Sequence, residues 1–226
     1  STNQLLFSVE KSLNLALVNG IRAIRSHIDS FGENVMTDWD VLENVRKKWR
    51  KKIFLQFVAL VPLEFWQTYE GELLAQRVAS NGDLLGGVIA PPFYKKKTIK
   101  SLLNLVQLAN RLNCNVDLHI DEAQSCPAAG LKLLLEVLGH IKSEISITCS
   151  HLSSMALLSE KGISGLAKKM AENKLNVVAL PLTNSWLLGR NDRSTLIKRP
   201  LAPIFQLQKA GVVVSVGGDN VNDAWF

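Results

Sequence analysis

Apolar positions along the chain follow two alternating rhythms. Short runs rich in valine, isoleucine and leucine are separated by longer stretches in which apolar residues recur every three or four positions. The short runs predict seven strands, at 23–28, 53–60, 84–90, 115–120, 145–151, 176–180 and 212–218. Leu102, Leu105, Val106, Ala109 and Leu112 share one helical face over 101–113. Leu131, Leu134, Leu135, Leu138 and Ile141 do the same over 128–141, so both stretches predict amphipathic helices. Another helix is predicted over about 4–19, ahead of the first strand. Gly82, Gly139, Gly162 and Gly211 mark helix ends or the approach to the next strand. There is no Pro/Ser-rich linker or low-complexity tract, and 1–226 reads as one domain.

Strand and helix in strict alternation mean parallel strands joined by right-handed crossovers. A doubly wound sheet and a barrel both satisfy that rule. Two features favour the barrel. Polar and ionisable residues stand at the C-terminal ends of many strands: His27 and Asp29, His119 to Glu122, His151, Asn184 and Asp219. A barrel gathers those ends into one mouth. No Gly-x-Gly-x-x-Gly or Walker loop follows a strand, and Gly86-Gly87 falls inside one. The fold class expected is therefore α/β, a (β/α)8 TIM-type barrel. The strand count is one short, so the first strand is expected ahead of residue 1.

Composition narrows the partners. The chain has 226 residues, 47% of them hydrophobic, enough for a core without staples. No apolar run approaches the ~18 residues of a membrane span. Lys and Arg exceed Asp and Glu by 26 to 20, a formal +6. Much of the excess lies at 46–52 and 95–97. The first cluster closes a predicted helix, where cations complement the dipole, and Trp49 inside it reads as a core anchor. No nucleic-acid motif accompanies either cluster, and neither nucleic acid nor membrane is expected as a partner. Three widely spaced cysteines, Cys114, Cys126 and Cys149, fit a reducing cytoplasm rather than a disulfide framework. A homo-oligomer stays open.

The chemistry concentrates in three segments. In Leu118-His119-Ile120-Asp121-Glu122, a histidine closes an apolar strand and a carboxylate follows three residues on. That pattern serves a metal ligand with a proton shuttle, or equally a core histidine beside a helix-capping acid. Thr148-Cys149-Ser150-His151 repeats the strand-closing histidine. Strand parity sets His151 with Ile147 and Cys149, so a local bulge is expected if its ring enters the mouth. A buried strand then runs through Gly217-Gly218 into Asp219, a costly end for a carboxylate unless it is paired or binds a metal.

Taken in order with Asn19-Gly20-Ile21, Arg25-Ser26-His27-Ile28-Asp29, Pro181-Leu182-Thr183-Asn184, Leu188-Gly189-Arg190 and Gly218-Asp219-Asn220-Val221 with Asp223 and Trp225, these segments resemble the amidohydrolase superfamily, in particular its cytosine deaminase-like branch. The resemblance implies one divalent metal ion, zinc or iron, with manganese also open. It implies a small heterocyclic substrate whose exocyclic C–N bond is hydrolysed. It casts His119 as a metal ligand, Glu122 as the acid/base that protonates the ring nitrogen, and His151 as the group orienting the attacking water. Asp219 becomes a metal ligand that also takes the water's proton, and Trp225 an aromatic wall. Arg190 and Arg193 follow the seventh strand of a complete barrel, with loop-ordering and substrate contact equally open. The family's first strand supplies a His-x-His pair, but no two of the four histidines here are one residue apart. The pair is therefore expected upstream, and the excerpt alone is expected to be inactive. The alternative is a non-catalytic barrel acting as a binding or scaffold protein.

Two positions depart from the cytosine deaminase pattern. Pro62 stands where that branch has a glutamine, and Asn220 where it has a second aspartate. Both changes alter the hydrogen bonds offered to a substrate edge, so a triazine or another cyclic amidine fits as well as cytosine. Native protein should therefore turn cytosine over poorly. Pro62→Gln combined with Asn220→Asp should raise ammonia release from cytosine, measured against the native protein.

Overall fold

The computed structural model describes residues 2–189, 200–221 and 223. Seven strands form one parallel sheet in sequential order: β1 (Ala23–Asp29), β2 (Phe54–Leu60), β3 (Leu84–Ile89), β4 (Val116–Ile120), β5 (Ile147–His151), β6 (Asn176–Ala179) and β7 (Val213–Val216). The expected strands are all present, with ends moved by a few residues at most. Helices α1 (Thr2–Val18), α2 (Val35–Trp49), α3 (Tyr69–Ser80), α4 (Lys95–Leu112), α5 (Ala129–Leu138), α6 (Glu160–Glu172), α7 (Pro181–Gly189) and α8 (Ile204–Lys209) complete the chain. Among the described residues there is no eighth strand, and β1 and β7 are the two edges. Among the described residues no helix is long and apolar enough to cross a membrane.

The sheet is rolled, and side chains prove it. Arg25 on β1 donates to Asp117 on β4 at 2.8 Å and to Thr148 on β5 at 3.4 Å. In a flat sheet those strands would lie ~14 and ~19 Å from β1. Strand alternation explains which groups meet. Gly86, Asp117 and Thr148 form one row of the parallel register and Val88, His119 and Ser150 the next; with Arg25 and His27 of β1 they line the concave side. Val116, Leu118, Ile120, Ile147 and Cys149 point the other way and are buried in the hydrophobic core. The concave face is polar at its centre. The buried Asp117 carboxylate accepts from Arg25 and from the Ser150 hydroxyl at 2.8 Å each, and His27 Nε2 lies 3.5 Å away.

Two local expectations need correction. Helix α4 begins at Lys95, six residues ahead of the amphipathic stretch at 101. Three lysines at the positive end of a helix dipole hide that start. Lys95 and Lys97 are accommodated by Glu136 at 3.0 Å and Glu64 at 3.2 Å. Gly162 lies inside the first turn of α6, where its N–H donates to the Ser159 side chain at 3.3 Å. It marks a helix start, capped by serine. The basic run at 46–52 closes α2 as expected, and Trp49 is a buried anchor whose indole donates to Glu10 at 3.1 Å.

Arg25→Leu should lower the unfolding free energy by roughly 3 kcal/mol, because it leaves the buried Asp117 carboxylate without its guanidinium. Urea denaturation followed by tryptophan fluorescence measures the loss.

Candidate metal centre

His119 occupies the last inward position of β4. Its ring meets His27 edge-on at 4.4 Å between centroids and His151 at 4.9 Å. The chain then leaves the strand through Asp121, which adopts a left-handed conformation with φ 59°. This turn sends the fully buried Asp121 side chain to the start of α5. Its two carboxylate oxygens accept the Gly130 and Leu131 N–H groups at 2.8 Å each. Asp121 is thus the helix-capping acid, and Glu122 is left free to face the mouth. The helix-capping reading of this segment thus falls to Asp121.

His151 reaches the same place by a second left-handed turn. Parity sets it with Ile147 and Cys149, but φ is 74° at His151 and 50° at Leu152. This consecutive pair does the work expected of a bulge. The ring, only 1% exposed, lies with Nδ1 3.1 Å from Asn184 Nδ2 and 3.4 Å from Glu122 Oε1. Asn184 Nδ2 also lies 3.5 Å from Glu122 Oε1. His151 Nε2 is buried and has no hydrogen-bond partner.

His119, Glu122 and His151 can each present one ligand atom, with all three atoms within 4.8 Å of one another. Burial shapes their protonation. It holds His119 down to about 4, helped by His27, and His151 down to about 3, helped by His119 and His27. Both rings are therefore neutral at ordinary pH, as metal ligands must be. Burial, then the negative charge of Asp219, pushes the Glu122 carboxyl up to about 7. A neutral imidazole pair, a carboxyl group and an orphaned buried nitrogen together fit a divalent cation.

The remaining sequence-derived candidates fall into three groups. Asp219 lies three residues beyond β7 in a left-handed conformation, φ 72°, exposed and outside the three-residue cluster. Its carboxyl is raised by burial and eased by a hydrogen bond from Thr183. Asn220 is exposed, and its backbone N–H donates to Asp223 at 3.2 Å. Pro62 lines a cavity of about 340 Å³ over the ends of β1–β3. Trp225, Arg190 and Arg193 lie outside the described residues. Cys149 is core, and His140 sits exposed beyond the end of α5. Asp117 and Ser150 were not anticipated in the site. Their signal is parity: Asp117 shares a strand face with His119, as Arg25 does with His27.

No protein-family model matches the chain. A pterin deaminase from Rhizobium rhizogenes is 30% identical over 220 residues, covering 96% of this chain and 49% of that protein. The 5-methylcytosine deaminase from Klebsiella pneumoniae, solved with 5-fluorocytosine, superposes with a TM-score of 0.80 at 26% identity, over 100% of this chain and 55% of that one. The chain is thus similar in sequence and fold to deaminases of nitrogen heterocycles. The N-isopropylammelide isopropylaminohydrolase from Burkholderia multivorans shares the fold, with a TM-score of 0.70 at 24% identity over 95% of this chain and 52% of its own. The chain spans about half the length of the curated relatives it matches. In this chain the two histidines arrive from adjacent strands, β4 and β5, which the parallel ladder holds in register.

Asp121→Ala strands two backbone N–H groups at the start of α5 and removes the turn that presents Glu122. It should cost ~1–3 kcal/mol in urea unfolding, as expected for buried donors left unsatisfied. Asp121→Asn should recover part of that loss by keeping one acceptor.

Proposed function

We propose that the chain forms most of the barrel domain of a metal-dependent deaminase. The reaction is hydrolysis of an exocyclic C–N bond: water replaces the amino group on an sp² ring carbon, leaving a ring carbonyl and ammonia. The observation that carries the proposal is the His119–Glu122–His151 cluster with the unpartnered His151 Nε2. The pterin and 5-methylcytosine deaminases among its relatives support a nitrogen heterocycle as substrate.

His119 would hold the metal, with Asp219 approaching from the end of β7. A divalent ion there, zinc or iron, supplies Lewis acidity that lowers the pKa of water from 15.7 toward ~7. The rest is done by protein groups. Asn184 fixes the His151 ring through Nδ1, so Nε2 is the atom aimed at the water or the developing oxyanion. With its carboxyl near 7, Glu122 populates both protonation states at neutral pH. It can give a proton to the ring nitrogen and later carry one to the departing amine. The Asp219 charge beside it favours the protonated form needed first. Asn220 and Trp225 are assigned to the substrate, as a hydrogen-bonding group and an aromatic wall. The two unpaired edges, β1 and β7, support a missing strand between them, carrying the His-x-His pair. The free cysteines support a cytoplasmic setting.

The test uses full-length, metal-loaded protein and a heterocycle panel scored for ammonia. Glu122→Gln should keep fold and metal content yet lose ~10²–10⁴ in turnover. Loss of the metal in that variant would instead make Glu122 a ligand, and unchanged turnover would remove it from the mechanism. A native protein that binds no metal and releases no ammonia from any heterocycle would leave the barrel as a non-catalytic scaffold.

A further inference from the structure

Two buried polar atoms without a hydrogen-bond partner among the described residues belong to side chains that touch each other. One is His151 Nε2 and the other is Asn184 Oδ1. Asn184 is fully buried in the first turn of α7, the helix that starts two residues after β6 ends. Its backbone N–H donates to the Leu180 carbonyl at 3.0 Å, so the helix makes no demand on its side chain.

The carboxamide is held from one side. Nδ2 donates to His151 Nδ1 at 3.1 Å and faces Glu122 Oε1 at 3.5 Å. An amide N–H only donates, so Nδ1 is the acceptor, and the neutral ring then carries its proton on Nε2. Oδ1 is left as a pure acceptor. A buried acceptor without a donor costs free energy that an apolar side chain of the same shape would not. The two side chains thus offer a ligand one donor, His151 Nε2, and one acceptor, Asn184 Oδ1. Hydrolysis of a C–N bond asks for both. The carbon under attack carries an oxygen, which needs a donor, and an amino nitrogen, whose N–H groups need an acceptor.

We infer that Asn184 Oδ1 accepts an N–H of the amino group that is displaced. The assignment rests on the deaminase reading above and adds a residue that touches the leaving group. Oδ1 and Nδ2 share one carbon, so a nitrogen held by Oδ1 lies close to the Glu122 carboxyl that must protonate it. Glu122 carries a proton to that nitrogen, and the C–N bond breaks with its electron pair staying on nitrogen. The hydroxyl left on the ring carbon gives its proton to the Glu122 carboxylate as the carbonyl forms. Asn184 neither gives nor takes a proton. Its hydrogen bond strengthens as the nitrogen gains positive charge before departure, so the contact favours the transition state over the bound substrate. It also separates leaving groups, because an ether oxygen or a halide has no N–H and leaves Oδ1 unpaired.

The experiment measures turnover and the heavy-nitrogen isotope effect on the released ammonia. It uses full-length, metal-loaded protein and the ring of the heterocycle panel that releases ammonia fastest, pterin being tried first. Thermal melts check that each variant folds, and Asn184→Ala stands in for Asn184→Leu if the latter does not. Asn184→Leu should lower turnover ~10–100-fold, the scale of one hydrogen bond to a charged group. It should also raise the isotope effect, because departure of the amine becomes the slow step. Asn184→Asp keeps an oxygen acceptor but loses the donor to His151, so it should slow turnover without raising the isotope effect. A slower Asn184→Leu enzyme with an unchanged or smaller isotope effect would show that Asn184 acts through His151 on water attack. That result, native turnover in Asn184→Leu, or an equal rise in Asn184→Asp would overturn the assignment and keep the deaminase. Absence of ammonia release by native protein from every ring would remove both.

Discussion

The buried carboxylate of Asp117 is the constraint on which the rest of the concave face depends. A charge at 1% exposure is tolerable only if it is fully partnered, and its partners come from two other strands. Arg25 and His27 reach it from β1, and Ser150 from β5. Satisfying that one group requires the sheet to roll until β1 faces β4 and β5. The same roll brings the His27 ring against His119, and His119 against His151. The polar base of the barrel and the histidine cluster above it are thus two layers of one arrangement.

The second constraint lies at the strand ends. A parallel ladder fixes side-chain parity, so a strand can offer its mouth only every other residue. Asp121, His151 with Leu152, and Asp219 escape that limit by left-handed turns at the ends of β4, β5 and β7. Each such non-glycine residue costs on the order of 1–3 kcal/mol. The surrounding structure compensates locally. The Asp121 carboxylate caps α5, its carbonyl accepts the Ser154 N–H at 3.0 Å, and the Leu152 N–H donates to Ile120 at 3.0 Å.

Burial then sets the electrostatics. The two cluster histidines are driven neutral by burial first and then by neighbouring imidazoles, His27 for both and His119 for His151, against which the Asp117 charge is the weaker influence. Glu122 is driven the opposite way by the same desolvation, reinforced by Asp219. Groups of opposite chemical type are thereby pushed toward their neutral forms within one small volume. On the deaminase reading proposed above, a cation entering that volume would meet neutral imidazoles, and a substrate would meet a carboxyl group able to give or take a proton near neutrality.

Much of this was determined by the sequence alone. Alternating apolar runs dictate seven parallel strands because period-2 and period-3.6 burial are properties of the local chain. Strand-closing histidines and acids mark the mouth for the same reason. What tertiary structure decided were the relations between strands and the rotations at their ends. Sequence parity set His151 on the core side of β5, and only the left-handed pair at His151 and Leu152 turns it to the mouth. Sequence spacing singled out Glu122, three residues after His119, and gave Asp121 no role; only the arrival of α5, with two N–H groups needing acceptors, makes Asp121 its cap. Asp117 reads as an isolated polar residue in an apolar strand until the sheet rolls and supplies Arg25 from 92 positions away. Periodicity records which face a residue takes within its own element; it carries no information on which distant group will neutralise it.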